Sequence, residues 1–230
     1  MTASGGTSPT IQHHVPDEGL LAHAAGTATE GAWLAMACHV ALCAACAARL
    51  AEMEALGGAL LETVGPAELP PDALASVLSR LSGPPEPKAA GRALPEVPDL
   101  LRPYGLPRVL RAVLGLEQAP VRWRLVIPGV RAINLPVGAP DDAVRVIAFK
   151  GGVTIPLHDH GGPEHIVVFS GALEEEGARF ARGDISIREA GERHQQRVAP
   201  GEPCVALVVN EGKLKPLTLR GRILLALSRQ

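Results

Sequence analysis

The sequence predicts an α-then-β chain of two units, four helices at the N-terminal end followed by a closed antiparallel β-barrel or jelly roll. Three observations carry this. Helical periodicity with capping residues runs from Pro16 to Ser82, a proline- and glycine-rich stretch interrupts it, and short β-prone runs bounded by turn residues fill most of the remainder. The expected division is a disordered N-terminus over 1–12, a helical metal-binding unit over 13–82, a linker over 83–103 and a barrel over 104–230.

Asp17 is placed to cap a first short helix carrying Leu20, Leu21 and Ala24, with Gly26 as its stop. Thr27-Ala28-Thr29-Glu30 has the form of a capping box and opens a second helix that runs through His39. A helical stretch with Leu50, Met53, Leu56, Leu60 and Leu61 comes next, and Asp72 caps a fourth. In that last helix Leu74, Val77, Leu78 and Leu81 fall at i, i+3, i+4 and i+7, a stripe that either packs on its own unit or faces a partner protein. Eight Pro or Gly residues between Gly83 and Pro103 mark the linker. The β-prone runs are Val121–Ile127, Val130–Val137, Ala143–Phe149, Val153–Leu157, Ile166–Phe169, Ile185–Arg188 and Val205–Val209; their regular spacing argues for a barrel or sandwich. No period of a solenoid recurs.

At 230 residues with only 3% aromatics, the cores must be built from small aliphatic side chains, and metal staples would help such a chain. Residues 1–90 hold nine acidic and three basic groups, which disfavours a phosphate backbone as partner and is either suited to a basic protein or simply a solvated acidic face. Four cysteines, three of them clustered, point to metal or redox use in a reducing compartment. The start has no secretory pattern, so the cytoplasm is the expected location. Gly31 to Ala48 lacks charge and approaches the length of a membrane span, but its alanine content, His39 and two thiols argue against insertion.

His39, Cys43 and Cys46 form H-x3-C-x2-C. On one helix, residues four and three apart share a face, giving three corners of a tetrahedron. The His13-His14 pair can supply the fourth, and two thiolates with two imidazoles suit a closed, structural Zn²⁺ site whose binding energy acts as folding energy. Cys38 faces away as a small buried residue, and His23 is expected at the surface. The helix, the upstream histidine and the four-helix pattern resemble the zinc-binding anti-sigma domain. That resemblance implies His14 as fourth ligand, and as partner an extracytoplasmic-function-type RNA polymerase sigma factor whose polymerase-binding surface the domain occludes.

A second set lies in the β-rich half. Gly152-x5-His158-x-His160-x3-Glu164-x6-Gly171 matches the first cupin motif, and Gly183-x5-Glu189-x-Gly191-x2-His194 keeps the glycines and histidine of the second, with Glu189 where proline is usual. Strand alternation puts His158 and His160 on one inward face, and a turn at Gly161-Gly162-Pro163 returns Glu164 on the neighbouring strand. Three imidazoles and a carboxylate suit Zn²⁺, Fe²⁺, Mn²⁺ or Ni²⁺. His165 is expected to point outward to the surface, and Cys204 into the core.

Both motifs in this order resemble the ChrR-type anti-sigma factors. The resemblance implies zinc in both units and release of a sigma factor in response to oxidants such as singlet oxygen; no enzymatic activity, and no direct nucleic-acid or membrane contact, are expected. The alternative from another class is a metal-dependent cupin dioxygenase or isomerase with a helical dimerisation region, for which Tyr104, Arg122, Arg124 and Arg145 could anchor substrate.

Overall fold

A computed structural model describes residues 10–82, 101, 104–114 and 122–218. Most of the expected linker, together with residues 1–9, lies outside the described residues. Thr10 to Gln12, expected to be disordered, are described: Ile11 packs against the core, and the Gln12 amide donates to Asp184 Oδ1 at 2.7 Å.

Five helices rather than four precede the sheets among the described residues. They are α1 (Asp17–Ala24), α2 (Glu30–Val40), α3 (Ala44–Glu62), α4 (Ala73–Ser82) and α5 (Arg108–Leu114), the last within the stretch assigned to the barrel unit. The caps differ from expectation. Pro16 precedes α1 without a side-chain cap, and Asp17 instead pairs with Arg49 of α3. Thr29, not Thr27, caps α2 by accepting from the Ala32 amide at 3.2 Å. Glu30 reaches away to the Gly138 amide rather than closing a capping box. Gly26 adopts φ +67°, the left-handed conformation a helix stop requires.

The run carrying H-x3-C-x2-C is not one helix. It breaks after Val40, and α3 restarts behind Cys43, whose extended backbone (φ −110°, ψ 103°) makes it the N-cap. The two helices meet at 120°, so the uncharged stretch is spread over two directions, and no single helix among the described residues is long and apolar enough to cross a membrane.

The strands are β1 (Arg124–Ile127), β2 (Val130–Asn134), β3 (Ala143–Phe149), β4 (Thr154–His160), β5 (Glu164–Ser170), β6 (Ala172–Glu175), β7 (Ala178–Ala181), β8 (Ile185–Arg188), β9 (His194–Val198), β10 (Cys204–Asn210) and β11 (Leu214–Pro216). Each expected run overlaps a strand; among the described residues β6, β7, β9 and β11 are additional. They form two antiparallel sheets, ordered β1-β2-β3-β10-β5-β8 and β11-β4-β9-β6-β7. Alternation divides the larger sheet between two cores. Phe149, Ile166, Val168, Ala206 and Val208 join Leu173 and Val198 of the facing sheet. Val144, Val146, Val167, Leu207 and Val209 join Leu34, Ala35, Met36 and Cys38 of α2 and Leu110 and Leu114 of α5.

The result is three layers, helices over the larger sheet over the smaller one. Gly31 lets α2 come close, since a Cβ there would stand 2.7 Å from Val209 Cγ1. Burial of this apolar area at about 25 cal/mol per Å² is what joins the helical region to the sheet.

Candidate metal centres

The break between α2 and α3 shapes the first centre. The His39 carbonyl accepts from the Leu42 and Cys43 amides, each at 2.8 Å, turning the chain so that Cys43 and Cys46 face His39 across the corner. The segment before α1 brings His14 to the same point. His14 Nδ1 lies 3.3 Å from Cys43 Sγ and 3.5 Å from Cys46 Sγ, and His39 Nε2 lies 3.3 Å from Cys46 Sγ. A tetrahedral ion with bonds of about 2.0 Å to nitrogen and 2.3 Å to sulfur places such atoms about 3.5 Å apart. His13 is turned elsewhere, its ring 4.1 Å from that of Phe180.

Protonation states support a ligand role for these groups. His39 Nδ1 donates to the Gly183 carbonyl at 2.7 Å, so Nε2 presents a lone pair to the sulfurs. Burial lowers the His39 pKa to about 4, keeping the ring neutral, and burial pushes the Cys46 thiol up to about 11. A bound cation would offset that cost by stabilising the thiolate.

The second centre lies between the sheets. His158 and His160 come from β4 and His194 from β9, all in the smaller sheet, while Glu164 starts β5 in the larger one. The turn at Gly161 to Pro163 therefore crosses between sheets and does not form a hairpin of adjacent strands. His160 Nε2 is 2.8 Å and His158 Nε2 2.9 Å from His194 Nε2, and Glu164 Oε2 is 3.3 Å from His194 Nε2. His158 donates through Nδ1 to the Pro156 carbonyl at 2.9 Å, and His194 donates through Nδ1 to Glu175. Both Nε2 atoms are then acceptors facing each other. Such an arrangement is suited to a cation between them.

Burial lowers the His158 pKa and takes that of His160 to about 4. Burial would lower His194 too, but its bond to Glu175 and the charges of Glu164 and Glu175 outweigh it and raise the pKa. Burial raises the Glu164 carboxyl, opposed by His194 and by donors from Asn210 at 2.5 Å and Gln196 at 3.0 Å. Glu175, Gln196 and Asn210 escaped the sequence reading. Glu175 is held by Ser186 at 3.0 Å and Arg188 at 2.8 Å, both on β8.

Cys38 and Cys204 are buried, and burial pushes the Cys204 thiol up to about 12. His23 is not a free surface residue, since it stacks on Trp33 with ring centroids 5.1 Å apart. His165 does point away from the cluster, but the face it points to is covered by helices, and the residue is buried. Arg145 lines a cavity shared with His158 and Glu164, whereas Tyr104 lines a separate pocket beside Arg182, and Arg122 and Arg124 are exposed.

One further surface stands out. Leu74, Val77, Leu78 and Leu81 of α4, with Leu56, Leu60 and Leu61 of α3, are each more than half exposed. Among the described residues, the α4 stripe is left exposed rather than buried in the core of its own unit. An apolar face of this extent marks an interaction surface.

Residues 112–215 match the family described as the ChrR cupin-like domain. The chain is 36% identical over 207 residues to the anti-sigma-E factor ChrR of Cereibacter sphaeroides, covering 90% of this chain and 92% of that protein. It is also similar, at 35% identity and a TM-score of 0.72, to a chain in the crystal structure of Rhodobacter sphaeroides SigE in complex with the anti-sigma ChrR, covering 88% of this chain and 100% of that one.

Proposed function

Because this chain belongs to the family of the anti-sigma factor ChrR, we propose that it is an anti-sigma factor whose helical region binds an extracytoplasmic-function-type sigma factor and withholds it from RNA polymerase. The observation that carries this reading is likeness along nearly the whole chain to a protein seen in complex with a sigma factor. The exposed apolar face of α3 and α4 supports it, since it offers an apolar surface of the kind such binding needs. The acidic balance of residues 1–90 suits a partner that itself carries basic DNA-binding surfaces. On this reading the protein regulates and does not catalyse, touches neither nucleic acid nor membrane, and works in the cytoplasm.

His14, His39, Cys43 and Cys46 would hold a structural Zn²⁺, whose binding energy fixes the corner between α2 and α3. His158, His160, Glu164 and His194 would hold a second ion, Zn²⁺ by family likeness, in the cupin-like domain. That domain would receive the signal that ends inhibition, an oxidant such as singlet oxygen. The chain's own groups prepare the second centre: Glu175 and the Pro156 carbonyl fix the ring tautomers, and Asn210 and Gln196 orient Glu164.

The test is co-purification of the full chain with its cognate sigma factor, using Leu74→Asp with Val77→Asp as the comparison. The double variant should keep its melting temperature, because both side chains are exposed, and lose the sigma factor. A double variant that still carries the sigma factor would refute α4 as the gripping surface.

A further inference from the structure

Inside the barrel, beside the second centre, lies a cavity of about 140 Å³. That is close to the volume of a cavity known to accept benzene, so it suits about six heavy atoms. Its walls are largely apolar, including Ile147, Phe149 and Val208, and rim residues such as Ile155 and Leu214 stay partly exposed, which leaves a route to solvent.

One lining residue has no explained role. Arg145 is a half-buried guanidinium on β3 whose side chain donates to Asn134 Oδ1 at 3.1 Å. Among the described residues no carboxylate pairs with it, and burial lowers its pKa, the signature of a cation short of compensation. The other polar groups cannot help, since Asn210 and Gln196 are committed to Glu164. With a divalent ion at the histidines, the single Glu164 charge leaves the cavity positive, because Glu175 is already matched by Arg188.

From this juxtaposition we propose that the cavity is a binding site for a small organic anion, a short-chain monocarboxylate in size and chemistry, with its head group against Arg145 and its tail on Ile147, Phe149 and Val208. The site is independent of the sigma-factor reading, because binding is measured on the chain alone.

Calorimetric titration of the full chain with butanoate, which has six heavy atoms, tests it. Saturable one-to-one binding is expected, about tenfold weaker for the uncharged butanamide and for Arg145→Gln, since a charge-assisted hydrogen bond is worth about that factor. Arg145→Lys should recover part of the loss. Asn134→Ala, which removes only the bond that steadies Arg145, should bind within about threefold of the parent. Absence of saturable butanoate binding, equal binding by Arg145→Gln, or a loss in Asn134→Ala as large as in Arg145→Gln would each overturn the proposal.

Discussion

His39 and Gly183, 144 positions apart in sequence, are joined by a 2.7 Å hydrogen bond from the imidazole Nδ1 to the backbone carbonyl. It fastens the first ligand cluster to the turn between β7 and β8. Asp184, next in the turn, accepts from the amides of Gln12 and His13, the approach to His14. From there β8 carries Ser186 and Arg188, which hold Glu175, which holds His194. A continuous line of bonds thus links the two centres.

Loss of a ligand at the corner should undo sigma binding. His39→Ala or Cys43→Ala is expected to drop metal content by one equivalent, read by elemental analysis, and to abolish co-purification of the sigma factor. Retained co-purification with the metal gone would count against a structural role for that ion.

The second centre should be separable. His158→Ala with His160→Ala is expected to keep inhibition and lose the response to singlet oxygen in a reporter assay. Unchanged release under oxidant would remove the cupin-like domain as receiver.

Glu175→Gln should weaken metal binding at the second centre by about tenfold to a hundredfold, as loss of an outer partner to a ligating histidine does elsewhere. Competition with a chelator measures it. An unchanged affinity would mean that Glu175 serves only the packing of β6 against β8.

Gly31→Ala decides how closely α2 sits on the sheet. Helix propensity alone would stabilise the variant by about 1 kcal/mol. The 2.7 Å approach of the new methyl to Val209 predicts the opposite sign, a loss of about 1–3 kcal/mol in thermal melting.

Chelated protein should weaken in acid. Burial holds His39, His160 and His165 at about 4, below the ordinary histidine value, so the unfolded chain takes up protons first as pH falls. The stability tied to their neutral forms is whole above about pH 6.5 and is lost as pH drops toward about 4. Urea midpoints across that window should fall steadily.

The two clusters were legible because candidate metal-binding residue types stand at short spacings in the sequence, as in His158-x-His160 or Cys43-x2-Cys46. The corner between α2 and α3 was not, because the alanines and leucines of the run favour helix throughout, and no local signal in it announces the extended backbone at Cys43. Strands β7 and β9 went unread because polar and charged residues such as Arg179, Gln195 and Arg197 interrupt the apolar pattern. Glu175 and Asp184 act on partners far along the chain, and no local spacing announces such contacts.

The shared packing of α2 on β10 bears on how inhibition could end. A proteolytic nick between residues 83 and 103 would sever the backbone yet leave Leu34, Ala35 and Met36 lodged against Leu207 and Val209. The two fragments would migrate together under native electrophoresis, and clipping by itself would liberate nothing until something also pried the layers apart.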